Sequence, residues 1–110
     1  MPAGETLVGT WSVDQNSATV MMIEISYPVP LESPATVVYV HEAGENATEC
    51  PGEAAEPKAA EGFLCIYRIE GLDTSSEFGP VSFPFGAFMA MERGVAADVG
   101  GWGTWAVTAG

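Results

Sequence analysis

The chain has 110 residues, enough for one domain with a genuine core and too few for two. Fifteen acidic residues stand against three basic ones, which gives a formal net charge of -12. Because binding to nucleic acid and to anionic membranes depends on cationic side chains, this charge argues against both partners. No window approaches the ~18 consecutive apolar residues of a membrane span, so direct membrane insertion is not expected either.

The first two predicted strands show alternation with a period of two. In TLVGTWSV, every second residue from Leu7 to Val13 is apolar or glycine, as in a half-buried strand. In VMMIEISY, the apolar positions run from Met21 to Tyr27, but Met22 makes the second face partly apolar as well. The second strand is therefore expected to have an outer face that is not fully solvated.

A proline-rich stretch, YPVPLESP, follows the second strand. Pro28, Pro30 and Pro34 each remove a backbone donor, so no central strand continues through them. We interpret this stretch as an extended bend that crosses from one sheet to another. The segment ATVVYVHE then resumes a strand.

The later segments complete an all-β pattern. In GFLCIYRIEG, Leu64 and Ile66 lie on the face opposite Cys65, and both faces are apolar. GLDTSSEFGP is predicted to be a loop, while VSFPFGAFMAMERG and GWGTWAVTAG supply the last strands. Six or so short strands without a long helical pattern predict a single antiparallel β-sandwich over residues 1–110, with a jelly-roll-like arrangement.

The two cysteines, Cys50 and Cys65, enclose a stretch rich in alanine, glutamate and proline between two strand-like segments. We interpret the stretch as a surface loop closed by an intrachain disulfide, which would stabilise the fold by roughly 3 kcal/mol. Such a bond implies an oxidising compartment. The alternative is a pair of free, buried thiols. Zinc is not expected, because His41 is the one histidine that could join them and a structural site needs four ligands.

Catalytic and metal-binding motifs are sparse. His41 ends a predicted strand, where a surface or edge position is favoured over a general base. The sequence lacks a Gly-x-Ser-x-Gly elbow, a phosphate-binding glycine loop and a His-Glu-x-x-His motif. The oxygen-rich stretches 14–16 and 73–77 do not match the spacing of a calcium loop and are interpreted as turns. No catalytic residue, cofactor or metal ligand is therefore predicted.

The tryptophans divide into core and surface candidates. Trp11 and Trp105 are predicted to be core residues, as large aromatics usually are in a small domain. Trp102 lies between Gly101 and Gly103, which leave room for a ligand to approach. It is the candidate aromatic for stacking on a glycan, with a core or interface position as the alternative.

Four segments in order, GETLVGTWSV, EISYPVPL, CPGEAAEPKAAEGFLCIY and GTWAVTAG, resemble a small C-terminal head domain of secreted or surface proteins of actinobacteria. Such heads often follow collagen-like or other low-complexity stalks. The resemblance covers nearly the whole chain and implies an extracellular or cell-surface location, a Cys50–Cys65 disulfide and no catalytic residues. It also implies that the chain is a domain excised from a longer secreted protein.

The expected function follows from the apolar second faces. Met22, Leu64 and Ile66 are predicted to lie near the subunit contacts of a closed homo-oligomer, unless both faces are covered within one sandwich. A trimer is favoured because the resemblance places such heads on collagen-like stalks, which have three chains. The alternative function is an adhesion module that binds glycan or protein. An enzyme is not expected, for want of an activated nucleophile or a placed base.

Overall fold

A computed structural model describes residues 1–14, 20–42, 44–71, 76–92 and 100–110. Within these ranges the regular secondary structure consists of seven β-strands. In chain order they are β1 (Thr6–Asp14), β2 (Val20–Ser26), β3 (Thr36–Val40), β4 (Phe63–Gly71), β5 (Ser76–Phe83), β6 (Gly86–Glu92) and β7 (Gly100–Thr108).

The strands form two packed sheets. Sheet A has the order β1-β7-β4-β3 and sheet B the order β2-β6-β5. Neighbouring strands are antiparallel except β3 and β4, which run parallel. The predicted all-β fold with two sheets is confirmed. The jelly-roll arrangement is not confirmed, because a jelly roll has eight antiparallel strands.

Two predicted connections have different outcomes. The proline bend does cross between sheets, since it leads from β2 in sheet B to β3 in sheet A. It is fixed to the β5–β6 turn, where Tyr27 N donates to Phe85 O (2.9 Å) and Leu31 N donates to Pro84 O (2.8 Å). The predicted loop GLDTSSEFGP, in contrast, contains the beginning of β5 from Ser76 onward. The segment VSFPFGAFMAMERG is not one strand but part of a hairpin that turns at residues 84–85.

The core lies between the inner faces of the two sheets. Its buried side chains come from six strands, the proline bend and the two alanines that flank β3 and β7: Trp11, Ile23, Ile25, Tyr27, Leu31, Ala35, Tyr39, Leu64, Ile66, Ala87, Met89, Trp105, Val107 and Ala109. The first two strands contribute the faces that the alternation predicted. Burying these side chains is the main favourable contribution to the stability of the fold.

The prediction that Leu64 and Ile66 lie on an exposed second face was wrong. Leu64 is 0% exposed and Ile66 is 1% exposed, and both belong to the core between the sheets. The opposite face of β4, with Cys65 and Tyr67, is the outer one, and it is also buried. The alternative interpretation, that both faces are covered within one sandwich, therefore holds for β4. Neither residue is available for contact with a second copy.

The centre of the β1–β7 ladder consists of two copies of the tripeptide Gly-Thr-Trp. The antiparallel register sets Gly9 opposite Trp105 and Trp11 opposite Gly103. A Cβ added to Gly9 would lie 2.6 Å from the Trp105 ring, and one added to Gly103 would lie 2.8 Å from the Trp11 indole nitrogen. Each indole therefore occupies the space above the glycine of the opposite strand, as in the aromatic rescue of glycine in sheets.

Both indoles also donate hydrogen bonds to the backbone. Trp105 Nε1 donates to Thr10 O at 3.1 Å, back on the neighbouring strand β1. Trp11 Nε1 donates to Tyr67 O at 3.0 Å, which lies two strands away in β4. Trp11 thus crosses β7 above Gly103 and connects three strands of sheet A.

Gly103→Ala is expected to destabilise the fold by about 1–3 kcal/mol, the usual cost of overpacking a buried site. The new Cβ would collide with Tyr67 O and with the Trp11 indole. Urea unfolding followed by tryptophan fluorescence measures the change. Thr10→Ala, at an exposed neighbouring position, is the control and should change stability by less than about 0.5 kcal/mol. An unchanged midpoint for Gly103→Ala would contradict this account of the ladder.

Candidate functional sites on the two outer faces

Residues 44–62, between β3 and β4, lie over the outer face of sheet A, and we call them the cover. Two threonines on the outer face of β7 hold it by side-chain hydrogen bonds: Thr104 Oγ1 donates to Ala54 O and Thr108 Oγ1 donates to Ala59 O, both at 2.8 Å. Ala54 and Ala59 also pack on the buried outer-face cluster that contains Tyr67. Sheet A therefore has no large open apolar face beneath the cover.

The predicted disulfide is confirmed. Cys50 in the cover is bonded to Cys65 in β4, with an S–S distance of 2.07 Å and a Cα–Cα distance of 5.7 Å. The alternative of two free thiols is thereby excluded. The Tyr67 hydroxyl adds two contacts, since it donates to Lys58 O and accepts from Gly52 N at 3.2 Å. The predicted surface loop is thus the cover, which is attached to sheet A by the disulfide and by several hydrogen bonds.

The cover is the acidic side of the molecule. It carries five glutamates and one lysine, Lys58, within 19 residues. The lysine and the glutamates at 45, 53, 56 and 61 are exposed, and Glu49 is half-buried. Two copies that approached each other with their covers facing would experience like-charge repulsion.

Two buried tyrosines have raised pKa values. Burial raises the pKa of Tyr27 to about 12, and its hydroxyl is buried without a hydrogen-bond partner among the described residues. Burial also raises the pKa of Tyr67, against the lowering effect of its hydrogen bonds to Lys58 and Gly52. Both hydroxyls are therefore neutral over the physiological range, and neither is poised to act as a base.

Tyr27→Phe is expected to keep or raise stability at pH 7 by up to about 1 kcal/mol, because it removes an unsatisfied hydroxyl. Tyr27 has a pKa of about 12 in the folded state, whereas in the unfolded chain it has the ordinary value of 10.0. The unfolded chain therefore loses this proton first, and the fold loses stability as the pH rises from 10 toward 12. The variant should lose less stability over that window. Urea midpoints between pH 7 and 12 test this, with Tyr67→Phe as the control that loses two hydrogen bonds and is destabilised by about 1–3 kcal/mol at pH 7. If Tyr27→Phe lost as much stability at pH 7 as Tyr67→Phe does, the Tyr27 hydroxyl would not be an unsatisfied buried group.

The outer face of sheet B carries a cluster of apolar side chains without a cover among the described residues. We call it the apolar surface; its members are Met22, Val81, Phe83, Phe85 and Phe88. The rings of Phe83 and Phe85 stack at 5.0 Å, and Phe88 meets Phe83 edge-on at 6.0 Å. Phe85 is 60% exposed and Met22 is 46% exposed.

Charge is scarce on this face. Among the described side chains of this face, the one charged group is Glu24 on β2, which lies opposite Phe88 of β6. The apolar surface is continuous with the turn at residues 84–85, which lies beside the exposed Val29 of the proline bend. The two outer faces of the sandwich thus have opposite character, acidic and covered on sheet A, apolar and open on sheet B.

The predicted site residues are distributed over separate places. Met22 is part of the apolar surface. Trp102 is on the other sheet, 49% exposed on the outer face of sheet A and opposite Ser12 of β1. Trp11 and Trp105 are buried, as predicted. A ligand-facing role for Trp102 stays a prediction.

Sequence reasoning missed the phenylalanines of the apolar surface. The signal is the alternation in VSFPF, which sets Phe83 and Phe85 two residues apart, followed by a glycine at position 86. If the Pro84 turn is recognised as the end of a strand, the hairpin brings Phe88 back beside Phe83. The pattern then predicts an aromatic outer face.

His41 is at the end of β3 and does not belong to a catalytic constellation among the described residues. Its Nδ1 lies 3.3 Å from Glu45 Oε1, and its ring meets Tyr39 edge-on at 4.6 Å. No group of three or more histidine, cysteine, aspartate or glutamate side chains in the described ranges could hold a metal ion. The oxygen-rich stretches 14–16 and 73–77 fall partly outside those ranges. Among the residues that the structure describes, no helix is long and apolar enough to cross a membrane.

Compared with known proteins, the chain matches no family model, no curated protein and no solved structure. The resemblance to stalked head domains therefore rests on the quoted segments alone. The extracellular location, the oligomer and the adhesion role that it implies stay predictions. The geometry of the two outer faces has to support any function proposed for this domain.

Proposed function

We propose that this domain is a non-enzymatic, extracellular head module of a stalked or fibrous protein and that it acts by associating with further copies of itself. The observation that supports the proposal is the open apolar surface on sheet B. The largest contiguous apolar patch on a soluble domain often marks an interaction site. Aromatic and methionine side chains are also the types enriched in the centre of protein interfaces.

The contrast between the two sheets strengthens this proposal. In sheet A the chain uses 19 residues, a disulfide and several hydrogen bonds to close an apolar outer face. In sheet B the described residues leave a comparable face open. A partner that covers the apolar surface completes the burial that the cover provides on the other side.

The charge distribution favours a second copy as this partner. With a net charge of -12 per chain, copies repel one another unless their acidic parts stay apart. The cover is on the outer face of sheet A, so contact through sheet B keeps the two covers at opposite ends of the assembly. Because the remaining repulsion is screened by salt, added salt should strengthen the association.

The disulfide supports the extracellular part of the proposal, since such bonds persist in oxidising compartments. The position on a collagen-like stalk and the expected three copies follow from the sequence resemblance. The mass in solution counts them.

Phe88→Glu is expected to lower the oligomeric mass of the domain. The new carboxylate would stand in the middle of the apolar surface beside Glu24, where a partner would have to bury it. Light scattering coupled to size exclusion, at tens of micromolar and moderate salt, gives the mass of each protein.

Val8→Glu is the matched control. Val8 is 59% exposed on the outer face of sheet A, so the same charge is added at an apolar residue away from the apolar surface. It should keep the parent mass. A parent protein that is monomeric under these conditions, or equal masses for both variants in an oligomeric parent, would refute self-association through sheet B.

A second candidate function is adhesion to glycan, supported by the exposure of Trp102. Its indole is half exposed although its two fellow tryptophans are buried. Its cross-strand neighbour Ser12 is exposed and offers a hydroxyl group beside the ring. An exposed indole beside hydroxyls suits stacking on a sugar face together with hydrogen bonding.

If the domain binds glycan there, Trp102→Ala should reduce binding by about tenfold or more, the effect of losing ~1.4 kcal/mol. Glycan-array screening, followed by titration of any positive sugar, measures this loss. Phe85→Ala is the control, because it removes an exposed aromatic on the other sheet. An array without positive sugars, or equal losses for both variants, would rule out this site.

A further inference from the structure

The two sheets expose four edge strands, and these differ in how their backbone groups are protected. They are β1 and β3 in sheet A and β2 and β5 in sheet B. An edge strand with free N–H and C=O groups is a template for pairing with another strand. Proline, β-bulges and short length are features that hinder such pairing.

Three of the edges have a feature that hinders pairing at one or more positions. In β1 the carbonyl of Thr10 is occupied by the Trp105 indole. In β5 the edge is interrupted by Pro80, which has no N–H, and by Gly79 with a φ of 58°, where the register with β6 shifts. β3 has only five residues, and its last two, Tyr39 and Val40, are buried.

The edge of β2 is different. It pairs with β6 in unbroken register over all seven residues, without proline, glycine or bulge. Tyr27 N donates to Phe85 O, and hydrogen-bonded positions alternate along an antiparallel pair. The N–H and C=O groups of Met22, Glu24 and Ser26 therefore point away from β6. Hydrogen bonds to these six groups are absent among the described residues.

We propose that the β2 edge pairs antiparallel with the β2 edge of a second copy, so that two three-stranded sheets B become one six-stranded sheet. The proposal rests on the proposed self-association and specifies where it begins. It also replaces the expected three copies by an even number, because this pairing is two-fold symmetric.

Charge selects the register. A two-fold axis at Glu24 would set two carboxylates directly opposite each other, which destabilises a strand pair. Full overlap of the seven residues instead places the axis at Ile23, the middle of β2. Met22 then lies opposite Glu24 of the other copy, twice in each pair. Met22 thus regains the contact role that its sequence pattern suggested.

Pairing also enlarges the apolar surface. Three strands spaced ~4.8 Å apart and seven residues long, at ~3.3 Å each, span roughly 330 Å². This is well below the ~800 Å² per partner of a standard interface. Edge pairing joins two such faces into one of about 660 Å². It therefore brings the Phe83 and Phe88 clusters of two copies closer to the size of a standard interface.

The register can be tested by cysteine crosslinking between two single variants, Met22→Cys and Glu24→Cys. Residues that form a hydrogen-bonded antiparallel pair are ~5.5 Å apart at Cα, within the range of a disulfide. An equimolar mixture of the two proteins under mild oxidation should give about tenfold more crosslinked dimer than either protein alone. The reason is that a cysteine at position 22 lies opposite position 24 of the other copy, and two cysteines at the same position do not lie opposite each other. The native cysteines are already bonded to each other.

A mixture of Val8→Cys and Thr10→Cys is the matched control. These residues are also two apart on an edge strand, β1, whose central carbonyl is occupied by Trp105. It should not crosslink. Crosslinking of Glu24→Cys alone at the level of the mixture would overturn the register, and the absence of crosslinks in the mixture would overturn the pairing.

Charge variants separate edge pairing from simple face packing. Met22→Lys places a cation opposite Glu24 of the partner and should lower the dissociation constant by about threefold or more, whereas Met22→Glu should raise it. Face packing alone predicts weaker association for both variants, since both bury a charge. A trimeric mass for the parent would overturn edge pairing and leave the proposed function standing. A monomeric parent would overturn both the proposed function and the edge pairing, whereas an oligomeric parent whose mixture does not crosslink would overturn the edge pairing alone.

Discussion

The reciprocal contact between two tryptophans and two glycines in the β1–β7 ladder is the constraint on which sheet A depends. Each indole fills the space above the glycine opposite and donates its N–H to a backbone carbonyl, one in β1 and one in β4. The register of β1 against β7 is therefore fixed by shape, because a slip of one residue would place Trp11 against Thr104 or Trp102. The position of the exposed outer-face residues, Trp102 included, follows from that register.

The parallel pair β3–β4 explains the cover. Parallel neighbours need a crossover of a dozen or more residues, and here the crossover is neither a helix nor a strand. Without a helix to bury the outer face of sheet A, the chain uses small side chains such as Ala54 and Ala59, the Cys50–Cys65 bond and the Tyr67 hydroxyl. In sheet B, β5 and β6 form a hairpin and β2, from an earlier part of the chain, pairs with β6. All its neighbouring strands are antiparallel, so among the described residues no parallel crossover lies over its outer face.

The sequence predicted the class of fold and the disulfide, but it could not assign the faces of β4. Alternation separates Leu64 and Ile66 from Cys65 and Tyr67, yet when both faces are apolar it does not tell which one lies between the sheets. That choice depends on the cover, a segment whose composition suggests only a loop. The aromatic cluster was missed because the sequence analysis places no turn at Pro84, and without that turn Phe88 does not share a face with Phe83. The repeated Gly-Thr-Trp was visible in the sequence, and its antiparallel pairing became clear only with the sheet order.

The place of β7 has a consequence for how the protein acquires its fold during synthesis. β7 is the last strand in the chain and a central strand of sheet A, where it pairs with β1 on one side and β4 on the other. Thr6 and Thr108, whose hydroxyls meet at 2.7 Å, are 102 positions apart. A nascent chain on the ribosome holds β1 and the β3–β4 pair without the strand that joins them until residue 108 has left the exit tunnel. Contacts of such high sequence separation slow folding, and the exposed edges in the meantime are sites of misassembly that a chaperone would have to shield.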